Sequence, residues 1–427
     1  MIREAVQPVE AGRRQKVLHI GKFYTPHRGG IESYLDTICT QLGRLFDVSV
    51  IVANETRKTR EDVINGVPVS RLGNLMTVAS TSFCPAMISR IRASRADLIH
   101  IHLPNPTAVL AYLASGCTGR LVFSYHSDVV RQKVLDSIFR PIQRVALMRS
   151  SAIIVSSPHL LRSSVLSEFQ ERCHVIPYGL PIDQFARPDL RKVNDLRQRY
   201  GERIVLSVGR LVYYKGLEYA IRSMTQVDAT LLIVGDGPLR AKLQKLAVDL
   251  GVSNRVVFLG EIPDDELRTC YHAADVFVLA SIARSESFGI VQIEALAAAK
   301  PVINTNIDSG VPFVSLNGVS GITVPPADSV ALAAAINRLL DDPELRAKFG
   351  RAGRLRAQSE FSVEAMSQRT VQLYESVMAQ PPRTGFTPSE SLGAKSRSES
   401  IPVTRDLMRL DARSSSFSAT HVTWAAD

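Results

Sequence analysis

Glu286 and Glu294 bracket the stretch ESFGIVQIE at 286–294, with seven mostly apolar residues between the two carboxylates. The preceding run, DVFVLAS at 275–281, has the content of a buried strand ending near Ser281, which places Glu286 in the following loop. A helix is expected to start at 287 to 289 and to run to the break at Pro301. Gly289 at its first turn would bare backbone N–H groups to a phosphate, and Glu294 would project more than a turn further on. The two acids can then address different parts of one extended ligand, with its phosphates between them. A glutamate favoured by the helix dipole plus a second on a solvated face would share the spacing. The residues between and after them are almost wholly apolar, so this helix has little solvated face to offer.

Other strand ends carry matching chemistry. VGRLVYYKG sets Arg210 and Lys215 in one loop beyond a strand, where a guanidinium fork and an ammonium point charge could neutralise a diphosphate. Gly29 and Gly30 open a helix after the first strand, and Gly235 in GDGPLR closes another; both permit close backbone approach to a ligand. Neither loop has a complete dinucleotide fingerprint or a Walker lysine, so NAD binding is poorly supported. SYHSD places His126 and Asp128 at a strand end, where a structural histidine and a functional one are equally good readings. His100 and His102 alternate in DLIHIH and could face one side. A metal there would want a third ligand, for which His126 is the nearby candidate in sequence, and no metal is expected. The chain has no Asp-x-Asp pair, the short acidic motif often used to hold a divalent ion on a diphosphate.

These residues need a scaffold of parallel strands, because ligands of doubly wound sheets bind beyond the C-terminal strand ends. Apolar runs at 16–21, 48–54, 97–102, 121–126, 152–157 and 173–179 alternate with helical patterns such as 31–45 and 134–150. The rhythm lapses into a charged helix or linker at 187–203. It restarts with strands at 203–211, 229–237, 255–262, 275–281, 301–306 and 321–326. The fold class expected is α/β, with two doubly wound parallel-sheet domains, 1–185 and 186–360. The amphipathic helix 361–378 follows. The tail 381–427, rich in Ser, Pro and Gly, is expected to be disordered, with Trp424 as its one candidate docking residue.

The 427 residues carry a net charge of +10, unevenly placed. Residues 1–190 hold 23 basic and 15 acidic side chains, whereas 191–380 hold 22 and 21. The surplus in the first half points to an anionic partner: a phosphorylated substrate, a nucleic acid or an anionic membrane surface. Within it, 131–149 interleaves Arg131, Lys133, Arg140, Arg144 and Arg149 with apolar residues, as would suit lipid headgroups. A core helix pair broken at Pro141 accounts for that pattern equally well. Five scattered cysteines without a Cys-x-x-Cys argue against a disulfide framework or zinc ribbon. The N-terminus lacks a signal-peptide core, and no run reaches the ~18 apolar residues of a membrane span. A cytoplasmic location, with at most peripheral contact at the inner membrane face, is expected.

In combination, the loop with Gly29 and Gly30, the His126 strand end, GRLVYYKG, GDGPL, ESFGIVQIEALAAAKPVI and GITVPPAD resemble the retaining glycosyltransferases of family 4. Their Glu-x7-Glu motif matches Glu286 and Glu294. The resemblance covers roughly 16–378 and implies the GT-B fold, two Rossmann-like domains facing across a cleft, with a C-terminal helix crossing back to the first. It implies that Arg210 and Lys215 meet the diphosphate of a nucleotide sugar, that Glu286 contacts the sugar hydroxyls and that Glu294 contacts the ribose. Backbone N–H groups at Phe288, Gly289 and Ile290 would approach the phosphates. Gly29 and Gly30 would close over the donor, and His126 would lie beside the sugar. The implied transfer retains anomeric configuration and needs no cofactor or metal. YHSDVVRQK and INTNIDSGVPFVS are most similar to bacterial rhamnosyl- and mannosyltransferases of surface-polysaccharide and lipopolysaccharide assembly. That implies GDP-mannose as donor, UDP-sugars next, with a lipid-linked saccharide as acceptor and no nucleic-acid partner. The chain departs from the family pattern at VYYKG, which lacks the usual preceding acid, at SGVPFV in place of Gly-Gly-x-x-Glu, and at Ala298 and Ala299.

Two other classes share parts of this pattern. A nucleotide-sugar epimerase or NAD-dependent oxidoreductase would share the α/β rhythm but requires a complete glycine fingerprint. A non-catalytic glycosyltransferase-like scaffold would have little reason to keep both glutamates and both cations.

Overall fold

Short β-branched runs that are apolar on both faces form buried parallel strands, and the helical segments between them cover the two faces. The structure, a computed structural model, describes residues 13–27, 29–78, 81–127 and 133–381. Its first sheet draws on β1 (Lys16–Ile20), β2 (Asp47–Ala53), β3 (Arg60–Ile64), β4 (Val67–Leu72) and, after a small hairpin of β5 (Met76–Val78) and β6 (Thr81–Phe83), β7 (Leu98–Leu103), β8 (Arg120–Tyr125), β9 (Ala152–Val155) and β10 (Cys173–Val175). The order is β10-β9-β8-β7-β1-β2-β4-β3, and every pair is parallel except β3 with β4. Helices α1 (Gly30–Leu42), α2 (Ala86–Ser94), α3 (Pro106–Ser115) and α4 (Lys133–Arg149) alternate with these strands. The strand order reverses between β1 and β7, which opens a crevice beyond their C-terminal ends.

After α5 (Leu190–Tyr200), the pattern repeats: β11 (Ile204–Val208), α6 (Leu217–Ser223), β12 (Thr230–Val234), α7 (Arg240–Asp249), β13 (Val256–Gly260), α8 (Asp264–Ala273), β14 (Val276–Leu279), α9 (Val291–Ala297), β15 (Val302–Thr305), α10 (Val311–Val314) and β16 (Gly321–Val324). These six strands make a wholly parallel sheet in the order β13-β12-β11-β14-β15-β16, whose switch point lies between β11 and β14. Then come α11 (Ser329–Asp341), α12 (Pro343–Glu360) and α13 (Val363–Ala379).

The last helix returns to the first domain. Its entry is fixed by paired backbone bonds, Leu180 N–H to Phe361 O at 2.8 Å and Val363 N–H to Leu180 O at 3.1 Å, and Ser362 caps it by accepting from Ala365 N–H. Met366, Thr370, Leu373, Tyr374 and Val377 are buried and recur at helical spacing, so one face lies in the core beside α1. Each buried apolar side chain of this size stabilises by roughly 1.5–3 kcal/mol, enough to hold the helix across the domain boundary.

Several expectations need adjustment. The antiparallel edge β3–β4 and the β5–β6 hairpin were not foreseen. α4 runs through Pro141 as one helix, so the broken pair is not what forms. Phe139 and Ile142 pack on the core and Leu147 is buried, whereas Arg140, Val145 and Arg149 are exposed and Arg144 makes a surface pair with Glu168 at 2.7 Å; the described part of the stretch is an amphipathic helix with one face in the core. Asp128, Arg131 and the tail from 382, with Trp424, lie outside the described residues, as do the side chains of Lys133, Val134, Leu135 and Ile138. Among the described residues no helix is long and apolar enough to cross a membrane.

Candidate active site

The ends of β11 and β14 flank the second switch point, and there the two expected charges meet. Lys215 closes a single helical turn, Tyr213–Lys215, and its side chain lies across Gly209, where a Cβ would come within 3.1 Å of Lys215 Cε and Nζ. Its Nζ stands 2.6 Å from Glu286 Oε2, with the two side chains only 12% and 10% exposed. Ser281 Oγ donates to the same oxygen at 3.2 Å. A pair so removed from water is costly to split, about 3–5 kcal/mol when one partner is deleted, because the other charge stays behind unpaired. Arg210, five residues before Lys215, is exposed at the same loop. Gly235 ends β12 beside them, its N–H bonded to Gly260 O at 2.7 Å, while Gly209 N–H bonds to Val234 O.

The Glu-x7-Glu stretch departs from expectation in where its helix begins. α9 starts at Val291 and ends at Ala297, not at 287 to 289 and Pro301. Gly289 has φ +73°, and a Cβ there would lie 2.6 Å from Leu279 Cδ2, so glycine is required and the turn is a loop. Glu294 therefore sits on the first helical turn rather than deep in the helix. It is partly buried and accepts a hydrogen bond from Tyr271 Oη at 2.5 Å. Burial pushes its carboxyl above the usual range, which the Tyr271 bond partly offsets. The Phe288 side chain is buried against Tyr178, Phe313 and Phe361, leaving only its backbone for a ligand.

The first domain approaches this loop at two places. Gly29 is in extended backbone as the cap of α1, and the position a Gly30 Cβ would take is 3.7 Å from Ile290 Cδ1. Ser287 Oγ donates to the carbonyl of His126 at 3.0 Å. Beside this contact, His159, Arg162, Asn306, Asp308, Ser309 and Phe313 line a cavity of about 510 Å³ between the domains, within the range of ligand pockets.

His126 itself has both ring nitrogens occupied: Nε2 by His102 Nδ1 at 3.1 Å and Nδ1 by the Tyr178 hydroxyl at 2.8 Å. His100 and His102 do share one face, their rings stacked 4.4 Å apart. The third histidine that completes a metal-like triad with them is His19 on β1, not His126, with ring nitrogens all within 4.8 Å. Sequence gave no pointer to His19, because only the order β1-β7 brings it beside His100. Each nitrogen of the three is already paired with another histidine, Tyr374 or Ser124, so an ion would have to displace those partners. Burial holds His19 and His126 near a pKa of about 3, and His100 and His102 well below the ordinary value.

Two sheets thus meet at one cleft, with a buried lysine–glutamate pair at one switch point and the Gly29–Gly30 turn approaching from the other domain. Family comparison agrees: Glycosyltransferase Family 4 matches residues 28–184, and Glycosyl transferases group 1 matches 190–356. The chain is 32% identical to the D-rhamnosyltransferase WbpZ of Pseudomonas aeruginosa over 81% of its own length and 92% of the relative's. It is also 32% identical to the O-antigen chain mannosyltransferase C of Escherichia coli, covering 85% and 99%. A GDP-mannose-dependent phosphatidylinositol monomannoside mannosyltransferase of Mycolicibacterium smegmatis is 31% identical, covering 78% and 91%. Among solved structures, sucrose-phosphate synthase from Thermosynechococcus elongatus superposes with a TM-score of 0.70 at 26% identity, over 86% of this chain and all of that one. HepE from Anabaena in complex with UDP gives the same score at 22% identity, which speaks for the fold alone. The chain belongs to the family 4 glycosyltransferases and has the GT-B fold. It is a hexosyltransferase, and the NAD-dependent reading is set aside.

Proposed function

We propose that this enzyme is a retaining transferase that moves mannose or rhamnose from a nucleotide sugar, GDP-mannose first and UDP-sugars next, to a lipid-linked saccharide during surface-polysaccharide assembly. The observation that carries this reading is the Lys215–Glu286 pair, 2.6 Å long and mostly dry, at the second-domain switch point. Without donor, each charge answers the other. An arriving diphosphate offers Lys215 a stronger partner, Arg210 adds its fork, and Glu286 turns to the sugar hydroxyls. Glu294, steadied by Tyr271, takes the ribose, and the backbone at 288–290 faces the phosphates.

In the reaction the bond between the anomeric carbon and phosphate oxygen breaks as the acceptor oxygen bonds to that carbon on the same face. The acceptor proton passes to the departing phosphate, so nucleoside diphosphate leaves and configuration is retained. His126 lines the sugar side as a positioning group, with its ring held in place and its carbonyl tied to Ser287. Lys215 and Arg210 stabilise the charge that grows on the leaving group, so a divalent metal is not called for. The relatives' donors and lipid-linked acceptors support the substrate classes. The basic surplus of the first domain supports peripheral contact with anionic lipid on the cytoplasmic face of the inner membrane.

The test is transfer from labelled GDP-mannose, with UDP-glucose alongside, to a polyprenyl-diphosphate-linked saccharide on vesicles. The expected product keeps the donor's anomeric configuration by NMR, and chelator leaves the rate unchanged. An inverted product, or a rate abolished by chelator and restored by Mg²⁺, would refute the mechanism.

A further inference from the structure

A parallel-sheet interior normally consists of Val, Ile and Leu, yet one face of the first sheet carries a row of imidazoles toward its C-terminal edge. Strand alternation places His19 of β1, His100 and His102 of β7, and Ser124 of β8 on that face, with His19 opposite His100 and His102 opposite Ser124 in register. His126 follows just beyond β8. All five are at most 4% exposed. Tyr34 of α1 covers the row edge-on, with its ring 5.8 Å from His102, 5.2 Å from His126 and 5.2 Å from Tyr178. From the returning helix α13, the Tyr374 hydroxyl enters between His100 and His19.

The polar atoms form one continuous line. Ser124 Oγ meets His100 Nε2 at 2.8 Å, and His100 Nδ1 meets the Tyr374 hydroxyl at 2.5 Å. That hydroxyl meets His19 Nε2 at 3.3 Å, and His19 Nδ1 meets His102 Nε2 at 3.1 Å. His102 Nδ1 then meets His126 Nε2 at 3.1 Å, and His126 Nδ1 meets the hydroxyl of Tyr178 at 2.8 Å. Tyr178 packs on Phe288 with ring centres 5.0 Å apart, inside the loop that carries Glu286 and Gly289.

With every imidazole neutral, each group has one proton to give and each of the six links needs one. Three fault-free arrangements satisfy all links, one for each hydroxyl that only accepts. If every bond runs from Ser124 towards Tyr178, each histidine is protonated on Nδ1. If every bond runs from Tyr178 towards Ser124, each is protonated on Nε2. If Tyr374 accepts from both sides, His100 is protonated on Nδ1 and the other three on Nε2. His19, His102 and His126, hydrogen-bonded directly to one another, must therefore share one tautomer.

We propose that this row is a hydrogen-bond chain, with His19, His102 and His126 in one tautomer, that positions His126 and Tyr178 against the donor loop, with Tyr374 of the returning helix as its connecting link. His19, His100, His102 and Tyr374 are thus positioning residues for the transfer reaction, although none of them reaches the cleft. The assignment of a role in transfer rests on the proposed donor site; the shared tautomer does not.

The experiment is ¹⁵N NMR of histidine-labelled, ligand-free full-length protein, paired with transfer kinetics, for the native chain and for Tyr374→Phe, which keeps the ring and removes the link. In the native chain His19, His102 and His126 should show the same tautomer. In Tyr374→Phe, at least one of His100, His19, His102 and His126 should show the other form, and kcat should fall about tenfold with donor KM little changed, as expected from misplacement of a group remote from the chemistry. Should Tyr374→Phe fail to fold, Tyr178→Phe cuts the opposite end and carries the same expectation at His126. Mixed tautomers among His19, His102 and His126 in the native chain would overturn the chain itself. Native shifts and native kcat in a folded link variant would overturn its positioning role. A native enzyme that uses no nucleotide sugar would overturn the proposed function while leaving the tautomer result standing.

Discussion

The two strand-end regions that face each other across the cleft solve the problem of a buried polar group in opposite ways. In the first domain, four histidines are kept neutral, every ring nitrogen is paired, and the line runs from the sheet interior to Tyr178. In the second domain, the sheet interior is mostly aliphatic and includes the hydrogen-bonded Asn304–Gln292 amide pair, and two full charges stand together at its edge. A neutral network with every partner satisfied fixes orientation and has nothing spare to offer a ligand. A charge pair is an exchangeable arrangement, because either partner can be won by a better one. On the proposed function, the first domain then supplies shape and the second binding, and the two should differ in sensitivity to acid and to substitution.

The largest effect should come from breaking the charged side. Lys215→Ala and Glu286→Ala should each lower kcat/KM by about 10²–10³-fold, the loss typical of removing one preorganised charge partner, while the far-ultraviolet circular dichroism stays native. Near-native turnover in both would collapse the comparison.

Acid should break the neutral side. The buried histidines have folded-state pKa values depressed below the unfolded value of about 6.5, so the native state binds fewer protons than the unfolded one. Their contribution is intact above about pH 6.5 and is lost as pH falls toward 3, by roughly 1.4 kcal/mol per pH unit for each histidine involved. The groups that face the row, Tyr34 and Cys39 of α1 together with Tyr178 and Tyr374, are held neutral by burial and offer no compensating negative charge in this range. Urea midpoints should fall steeply from pH 6.5 to 4.5, and a flat profile would contradict the neutral network.

Finer changes sharpen the contrast. Tyr271→Phe removes the hydrogen bond to Glu294 and should weaken nucleotide binding about five- to tenfold by calorimetry, near 1 kcal/mol. Ser287→Ala cuts the one side-chain bond from this loop to His126 O and should raise donor KM about threefold.

How far the sequence revealed this depends on the range of the contacts. Both sheets were legible, because βαβ periodicity is local and the strands are short apolar runs. The β3–β4 edge was missed because REDVI is polar and largely exposed; its signal was the turn pair Asn65 and Gly66, both at positive φ, which marks a tight hairpin. Arg210, Lys215, Glu286 and Glu294 were legible from their placement after strands, yet the loop at Gly289 hid the true start of α9. Part of the histidine chain was legible, since strand alternation put His100 and His102 on one face with His126 nearby; His19 and Tyr374 were beyond reach. His19 and His102 lie 83 residues apart, His100 and Tyr374 lie 274 apart, and only the strand order and the return of α13 join them.

The central claim is that the donor diphosphate takes Lys215 from Glu286. Calorimetry of GDP binding to the native enzyme, Glu286→Gln and Lys215→Ala tests it most directly. GDP has no sugar for Glu286 to hold, so freeing Lys215 from its competitor should leave Glu286→Gln binding GDP at least as tightly as the native chain, though without transfer. Lys215→Ala should bind far more weakly. If Glu286→Gln loses GDP affinity as severely as Lys215→Ala, the pair is a structural unit and the exchange does not occur.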